Sequence, residues 1–238
     1  MNWDAFFKLH SDLPREGPGL PDDVNWAVRQ AGTPTGARIL DAGSGPGGDI
    51  EALLGAVPNA HVTAVDTHAD FIETIVSRHA GDRVDARQSD MLEVVGPFDF
   101  IWCAGAIYFT GIAPTLAAWR NALAPGGHVA FTAPCYFSES PSAGAKAFWG
   151  EEPGLTLTPS EIEVAVASAG FDTLASRPLS DAAWEAYYAP MEARIAALRP
   201  TADAELLAVL DEGEQEISGW RAHREETGYW LSVVKPRA

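Results

Sequence analysis

Cysteine is almost missing from this chain: Cys103 and Cys135 are the only two in 238 residues. Neither belongs to a Cys-x-x-Cys pair or a His/Cys cluster, so nothing points to a disulfide framework or a thiolate metal site. Both lie in apolar, strand-like stretches and read as buried, reduced thiols, which suits a reducing cytosol. Positive charge is scarce too: 16 Lys and Arg face 33 Asp and Glu, a formal net charge of −17. Such a surface repels nucleic-acid phosphates and no basic stripe offsets it, so no DNA or RNA substrate is expected. The histidines (His10, His61, His68, His79, His128 and His223) are scattered without metal-ligand spacing, and no metal is expected. No apolar run is long enough to cross a bilayer, and the opening Met-Asn-Trp-Asp lacks the basic-then-apolar pattern of a secretory leader; a cytoplasmic protein with no membrane partner is expected. Repeats and low-complexity tracts are lacking. What remains is an ordinary apolar share, 47%, in a chain long enough to bury one large core as a single domain.

Glycine is where the sequence is locally rich. In Ile39-Leu40-Asp41-Ala42-Gly43-Ser44-Gly45-Pro46-Gly47-Gly48-Asp49-Ile50 a short apolar run ends in an acid, a glycine-rich turn follows, and a helical pattern begins. A bare tight turn needs one or two glycines, not four in the six residues 43–48. Glycines here let the backbone approach a ligand with no Cβ in the way. A strand–turn–helix of this kind is the usual seat of a nucleotide-like cofactor at the carboxyl end of a parallel sheet. Gly43-x-Gly45-x-x-Gly48 also fits the dinucleotide fingerprint, in which a pyrophosphate sits on the helix N-terminus. Asp41 argues the other way. A carboxylate at the strand tip repels a pyrophosphate and suits a ligand that brings an ammonium group. S-adenosylmethionine carries an ammonium and a sulfonium and no phosphate.

On these residues the chain resembles the class I S-adenosylmethionine-dependent methyltransferases, whose first motif is acid-x-Gly-x-Gly-x-Gly; Asp41 to Gly47 match it at every defined position. Downstream, His61-Val62-Thr63-Ala64-Val65-Asp66 reads as a second strand ending in an acid that can accept hydrogen bonds from both ribose hydroxyls, a geometry adenosine cofactors share. The resemblance implies that Asp90 accepts from the adenine amino group and that Met91 offers its backbone N–H to the ring. Phe98 to Ala106 resembles the family's fourth strand and the cleft behind it, and Leu123 to Phe131 the turn and fifth strand. The cofactor-binding set is then Asp41, Gly43, Ser44, Gly45, Gly47, Asp66, Thr67, Asp90, Met91, Cys103 and Ala104. The close resemblance covers roughly residues 36–135 and the rest matches by architecture.

A pass along the chain gives strand–helix alternation and so an α/β fold, a doubly wound, mostly parallel seven-stranded sheet of Rossmann-like methyltransferase type, with an N-terminal arm and a helical insert before the last strand. Helices are expected over Asp22–Ala31, Gly48–Ala56, Ala69–His79, Thr115–Leu123 and from Thr158 to Ala169. Strands are expected near Arg38–Leu40, His61–Asp66, Val84–Ala86, Phe98–Cys103, His128–Thr132, Phe171–Pro178 and Tyr229–Val234. Thr158-Pro159-Ser160-Glu161 has the form of a capping box. Pro125-Gly126-Gly127 reads as structural, ending one helix and starting a buried strand. By the resemblance the seventh strand runs antiparallel between the fifth and sixth. One domain, 1–238, would comprise an arm and helix (1–35), a cofactor-binding core (36–178), a helical cap insert (179–228) and a last strand (229–238).

The link from the sixth to the seventh strand, about Leu179 to Gly228, far exceeds a hairpin loop. Ser180 can cap a first helix in it, Thr201 a later one, and Gly228 can close the last. With the arm, Met1 to Pro21, this insert is expected to cap the sheet's carboxyl edge, where a methyl acceptor binds. Tyr108 follows the fourth strand and reads as pocket-lining. Trp184, Tyr187, Tyr188 and Met191 share one helix face; core packing is their default reading, yet so aromatic a face must meet the arm, the ligand or a partner subunit, which admits a homodimer. Arg15 and Glu16 read equally as surface charge or as contacts to cofactor or acceptor. For a catalytic group only Tyr108 and His10 are candidates.

These readings describe a methyltransferase acting on a small-molecule acceptor, with S-adenosylmethionine as cofactor and direct in-line methyl transfer. The absence of a His–Asp or Lys–Asp pair and of an Asn-Pro-Pro-Tyr motif favours a small molecule over nucleic acid or glutamine. Two alternatives stay open: a protein that binds S-adenosylmethionine without methyl transfer, and an NAD(P)-dependent oxidoreductase, against which Asp41 and the lack of a Tyr-x-x-x-Lys dyad argue.

Overall fold

The computed structural model describes residues 3–11, 13–79, 81, 83–150 and 156–237. Met1, Asn2 and Asp12 of the expected arm, and Ala238 of the expected last segment, lie outside the described residues. Seven strands form one sheet: β1 (Arg38–Ala42), β2 (His61–Asp66), β3 (Val84–Gln88), β4 (Phe98–Cys103), β5 (Leu123–Tyr136), β6 (Phe171–Pro178) and β7 (Thr227–Pro236). Their order is β3-β2-β1-β4-β5-β7-β6, with β1 to β5 mutually parallel and β7 antiparallel to both β5 and β6. The helices are α1 (Trp3–His10), α2 (Pro21–Ala31), α3 (Ile50–Ala56), α4 (Ala69–Arg78), α5 (Ile112–Trp119), α6 (Ala143–Trp149), α7 (Pro159–Ser168), α8 (Asp181–Leu198) and α9 (Ala204–His223).

The strand sequences explain this order. β1 is buried along its length after Arg38, with Ile39, Leu40 and Ala42 fully enclosed, as expected for a central parallel strand covered on both faces. β3, Val-Asp-Ala-Arg-Gln, is half exposed and sits at an edge. The order of strand addition reverses between β1, which leads outward to β2 and β3, and β4, which leads the other way to β5. Their carboxyl ends therefore diverge and leave a crevice between β1 and β4, the switch point where α/β sheets bind ligands.

Helix starts follow local chemistry. Thr158 accepts from the Glu161 N–H while the Glu161 carboxylate accepts from the Thr158 N–H at 2.8 Å, a complete capping box on α7. Ser180 caps α8 through the Ala183 N–H. Four sequence expectations change. Thr201 does not cap α9: it ends a 3-10 turn over Arg199–Thr201, and Asp203 caps instead, accepting from the Leu206 N–H at 2.9 Å. Gly228 closes no helix; α9 ends at His223, and Gly228 lies within β7, paired with Cys135. α5 spans Ile112–Trp119 rather than Thr115–Leu123, because Leu123 already pairs with Phe98 in the sheet. Pro125-Gly126-Gly127 consequently ends no helix. It sits inside β5 as an irregularity between the pairs Phe98–Leu123 and Phe100–His128, where a Cβ on Gly127 would come within 2.8 Å of the Phe98 carbonyl.

The arm begins as helix α1 and continues through an extended segment to α2. α1 packs against α8 and α9, and α6 packs against α9. Phe7 of α1 reaches the ring of His68 at the carboxyl end of β2, 4.4 Å between centroids, so arm and insert lie together over the sheet's carboxyl edge. Cys103 and Cys135 are free and buried, and burial pushes both thiols up to about 12, which leaves them unreactive. Among the described residues no helix is long and apolar enough to cross a membrane, and no His/Cys/Asp/Glu group could hold a metal ion.

Candidate functional site

The site grows out of the end of β1. Asp41 lies opposite Ala64 of β2 and Trp102 of β4, and only 3% of it is exposed. The glycine turn that follows hangs on the end of β2: the N–H groups of Gly43 and Ser44 both donate to the Val65 carbonyl, at 2.9 and 3.0 Å. Gly43 has φ +68°, and a Cβ there would lie 2.6 Å from the Ala106 methyl, so only glycine fits against the chain leaving β4. The Asp66 carboxylate holds the turn from the other side. It accepts from the Gly45 N–H and the His68 N–H, each at 2.9 Å.

Asp49, at the N-cap of α3, ties the arm to this turn. Its carboxylate accepts from the Trp102 indole at 3.0 Å and from the Arg15 guanidinium at 3.2 Å. Arg15 also donates to the carbonyls of Gly17 and Gly19. The arm then lies so close to the turn that a Cβ on Gly48 would meet the Pro14 carbonyl at 3.0 Å. Glu16 follows Arg15 over Gly45, and its Oε2 lies 2.6 Å from His10 Nδ1, whose ring stacks on Phe6 at 4.0 Å.

Three polar atoms in this small volume are buried without a hydrogen-bond partner: Asp41 Oδ2, Ser44 Oγ and Glu16 Oε1. Native proteins seldom bury such atoms without a bound partner. Burial pushes the Asp41 carboxyl well above the usual carboxylate range; the negative charges of Asp49 and Asp66 add to the effect, and Arg15 partly offsets it. A ligand that brings positive charge relieves this environment, and a pyrophosphate aggravates it. The residues therefore fit S-adenosylmethionine, whose ammonium matches Asp41, and do not fit a dinucleotide.

The remaining expected cofactor residues line the same edge. Cys103 ends β4 close enough to Asp41 to feel its charge, and Ala104 follows it. The Thr67 carbonyl accepts from the Gln88 amide at 2.9 Å. Asp90 is exposed beyond β3 and accepts from the Leu92 N–H, while the Met91 carbonyl accepts from the Trp119 indole at 2.7 Å. Gly47 packs against Ile50 and Ile75 and turns the chain into α3.

Facing this edge is the underside of the cap. Tyr108, in a 3-10 turn after β4, lies 3.3 Å from Tyr229 of β7, hydroxyl to hydroxyl. Tyr188 donates to Glu216 of α9 at 3.0 Å. Trp184 stacks on Trp220 at 5.1 Å between centroids and is 3% exposed, a core position between α8 and α9. Arg15 is committed to Asp49; burial pushes the Tyr108 and Tyr187 hydroxyls upward, and the negative charge of Glu216 adds to the effect on both.

Sequence reasoning missed Asp49, Glu216 and Tyr229. For Asp49 the signal was an acid directly behind the glycines, where the helical pattern begins. For Glu216 it was a carboxylate on the apolar face of α9, three residues after Gly213 and four before Trp220, both buried. Nothing in its local sequence marks Tyr229, which pairing with β5 brings to Tyr108.

With this geometry in place the comparisons are informative. Residues 39–127 match the family model described as Methyltransferase domain. The chain is 30% identical over 139 residues to the trans-aconitate 2-methyltransferase of Streptomyces avermitilis, covering 56% of this chain and 47% of that protein. It spans about half the length, or less, of the curated relatives it matches. Two solved structures share its whole fold: the SAM-dependent methyltransferases of Geobacter sulfurreducens (TM-score 0.84, 20% identity, 98% of each chain) and Thiobacillus denitrificans (TM-score 0.81, 22% identity, 98% of each chain), both in complex with S-adenosyl-L-homocysteine. The architecture is the Rossmann-like methyltransferase fold expected from the motifs.

Proposed function

We propose that the protein transfers a methyl group from S-adenosylmethionine to a small-molecule acceptor held between the glycine turn and the helical cap. The observation that carries this reading is the buried, partnerless Oδ2 of Asp41 behind a turn that only glycine can form. In this reading Asp41 and Ser44 hold the methionine end, Gly43, Gly45 and Gly47 give it room, Asp66 and Thr67 hold the ribose, Asp90 and Met91 the adenine, and Cys103 and Ala104 floor the cleft. The arm (1–35) and insert (179–228) close over a core at 36–178, with the last strand at 229–238 completing one domain that works in the cytoplasm.

The cofactor, when bound, supplies a methyl already activated on sulfur. The protein's part is alignment and exclusion of water, which can contribute about 7–11 kcal/mol. Tyr108, beside the end of β4, orients the acceptor, and the cap shuts the cleft. Titration calorimetry with S-adenosylmethionine, S-adenosylhomocysteine and NAD tests the assignment. Binding of the first two without NAD is expected. Failure of both sulfur nucleotides to bind folded, ligand-stripped protein would end it, and their binding without methyl release across acceptor panels would leave a binding protein instead.

A further inference from the structure

The arm carries a carboxylate oxygen that the fold leaves unspent. Residues 14–19 are shaped by Arg15, whose guanidinium donates to the Gly17 and Gly19 carbonyls and to Asp49. The arm is also pinned to the insert. The Gly19 N–H donates to the Ala183 carbonyl of α8 at 3.2 Å, and Arg194 of α8 donates to the Leu9 and Lys8 carbonyls at 2.9 and 2.8 Å. Glu16 is thereby laid on the glycine turn: its Cγ lies 3.5 Å from the point that a Cβ on Gly45 would occupy. One of its oxygens, Oε2, is taken by His10 Nδ1 at 2.6 Å, and the His10 ring is itself held by stacking on Phe6. The other, Oε1, is buried with no partner. Ser44 Oγ, on the same turn, is also buried and partnerless, and so is Oδ2 of Asp41 at its root, a residue 3% exposed. Native folds seldom bury such oxygens unless a donor reaches them.

We propose that Glu16 is a cofactor-binding residue, taking the ammonium of S-adenosylmethionine together with Asp41 and Ser44, and that His10 positions it. The donor count matches. A primary ammonium carries three N–H groups and no acceptor, and the turn and the arm offer three partnerless oxygens, two of them on carboxylates. Hydrogen bonds from an ammonium to carboxylates are charge-assisted and roughly twice as strong as neutral ones. A carboxylate brought to the same place would set acceptors against acceptors and charge against like charge. Arg15 is spent on the arm itself and on Asp49, so the arm meets the ligand through its acid rather than its base. The cofactor site is then not complete within the glycine motif. Its last side chain comes from outside the strand–turn–helix, and the arriving ligand gives Glu16 the partner that the fold withholds.

This inference rests on the methyltransferase reading, and a pair of ligands separates the two. The full chain is titrated calorimetrically with S-adenosylhomocysteine, which carries the same ammonium, and with its deamino analogue, in which hydrogen replaces that group. Wild type should bind the first roughly tenfold or more tighter. Glu16→Gln should weaken S-adenosylhomocysteine roughly tenfold and the analogue less than about twofold, because the interaction it loses is with the missing group. Glu16→Ala repeats the comparison should Glu16→Gln fail to fold. His10→Ala should lower affinity in the same ligand-selective way, and His10→Asn, whose amide can donate to Oε2, should restore it; equal losses at both would return His10 to packing. Equal affinity of wild type for the two ligands overturns the assignment of Glu16. So does a Glu16 variant that leaves S-adenosylhomocysteine unaffected or weakens both ligands alike, and in each case the methyltransferase reading stands. Failure of S-adenosylhomocysteine to bind folded, ligand-stripped protein removes both.

Discussion

The carboxyl edge of the sheet and the cap above it are built by opposite means. At the edge, backbone does the work: Gly43, Ser44 and Gly45 are placed by N–H groups anchored on Val65 and Asp66, and the glycines matter because nothing projects from them. In the cap, side chains do it: the rings of Tyr187 and Tyr188 in α8 meet, and Tyr188 donates to Glu216 of α9, because the insert folds back over β7. The first set of residues is contiguous in the chain and tolerates little change; the second is scattered, and each residue also packs against its neighbours. Cofactor and acceptor are therefore expected to respond to different mutations.

Variants can break or sharpen that contrast. The largest effect should come from Trp184→Ala, which empties a stacked core position and is expected to cost about 3–5 kcal/mol of stability in denaturant unfolding. Its S-adenosylhomocysteine affinity, measured below the unfolding range, should barely change. A large loss of affinity in the folded variant would mean that cap and edge are one unit. Gly43→Ala should follow, losing about 1–3 kcal/mol through a left-handed φ and the clash with Ala106, and losing cofactor binding by calorimetry as well.

Asp66→Ala should leave the fold intact and weaken S-adenosylmethionine on the order of ten- to a hundredfold, since charge-assisted hydrogen bonds are lost. Unchanged affinity would count against the whole edge assignment. Tyr108→Phe should reduce turnover several-fold with cofactor affinity preserved; normal turnover on the true acceptor would return it to packing.

The smallest and most diagnostic effect is on pH. Asp41 has a folded pKa above its ordinary 3.8, so the folded state keeps a proton that the unfolded chain has already released. The stability it contributes is present below the unfolded pKa and lost as pH rises through the folded one. Ligand-free protein should therefore lose Tm over that rise relative to Asp41→Asn. S-adenosylmethionine affinity should climb over the same window in the wild type, because the ionised carboxylate pairs with the ammonium, and stay flat in the variant. Parallel pH profiles for the two proteins would remove Asp41 from the ligand.

Legibility in the sequence follows the same divide. The edge could be read because its chemistry is local: Asp41 through Gly47 form the motif, Asp66 ends the next strand, and strand direction supplies the rest. The capping boxes and caps at Thr158 and Ser180 were equally local and stand as read. Thr201, Gly228 and the Pro125–Gly127 turn were misread because a longer-range contact outweighed a local preference. Asp203 offered a better cap two residues on, and pairing with β4 and β5 drew Leu123 and Gly228 into strands. The sequence by itself determined the fold class, the strand that carries the acid and the glycine turn that follows it, since periodicity and backbone sterics act over a few residues. Only the tertiary structure decided that Arg15 locks the arm to Asp49, that Trp184 belongs to the core, and that Tyr229 meets Tyr108. Arg15 and Asp49 lie 34 residues apart and Tyr108 and Tyr229 121 apart, and nothing short of the packed sheet and cap brings them together.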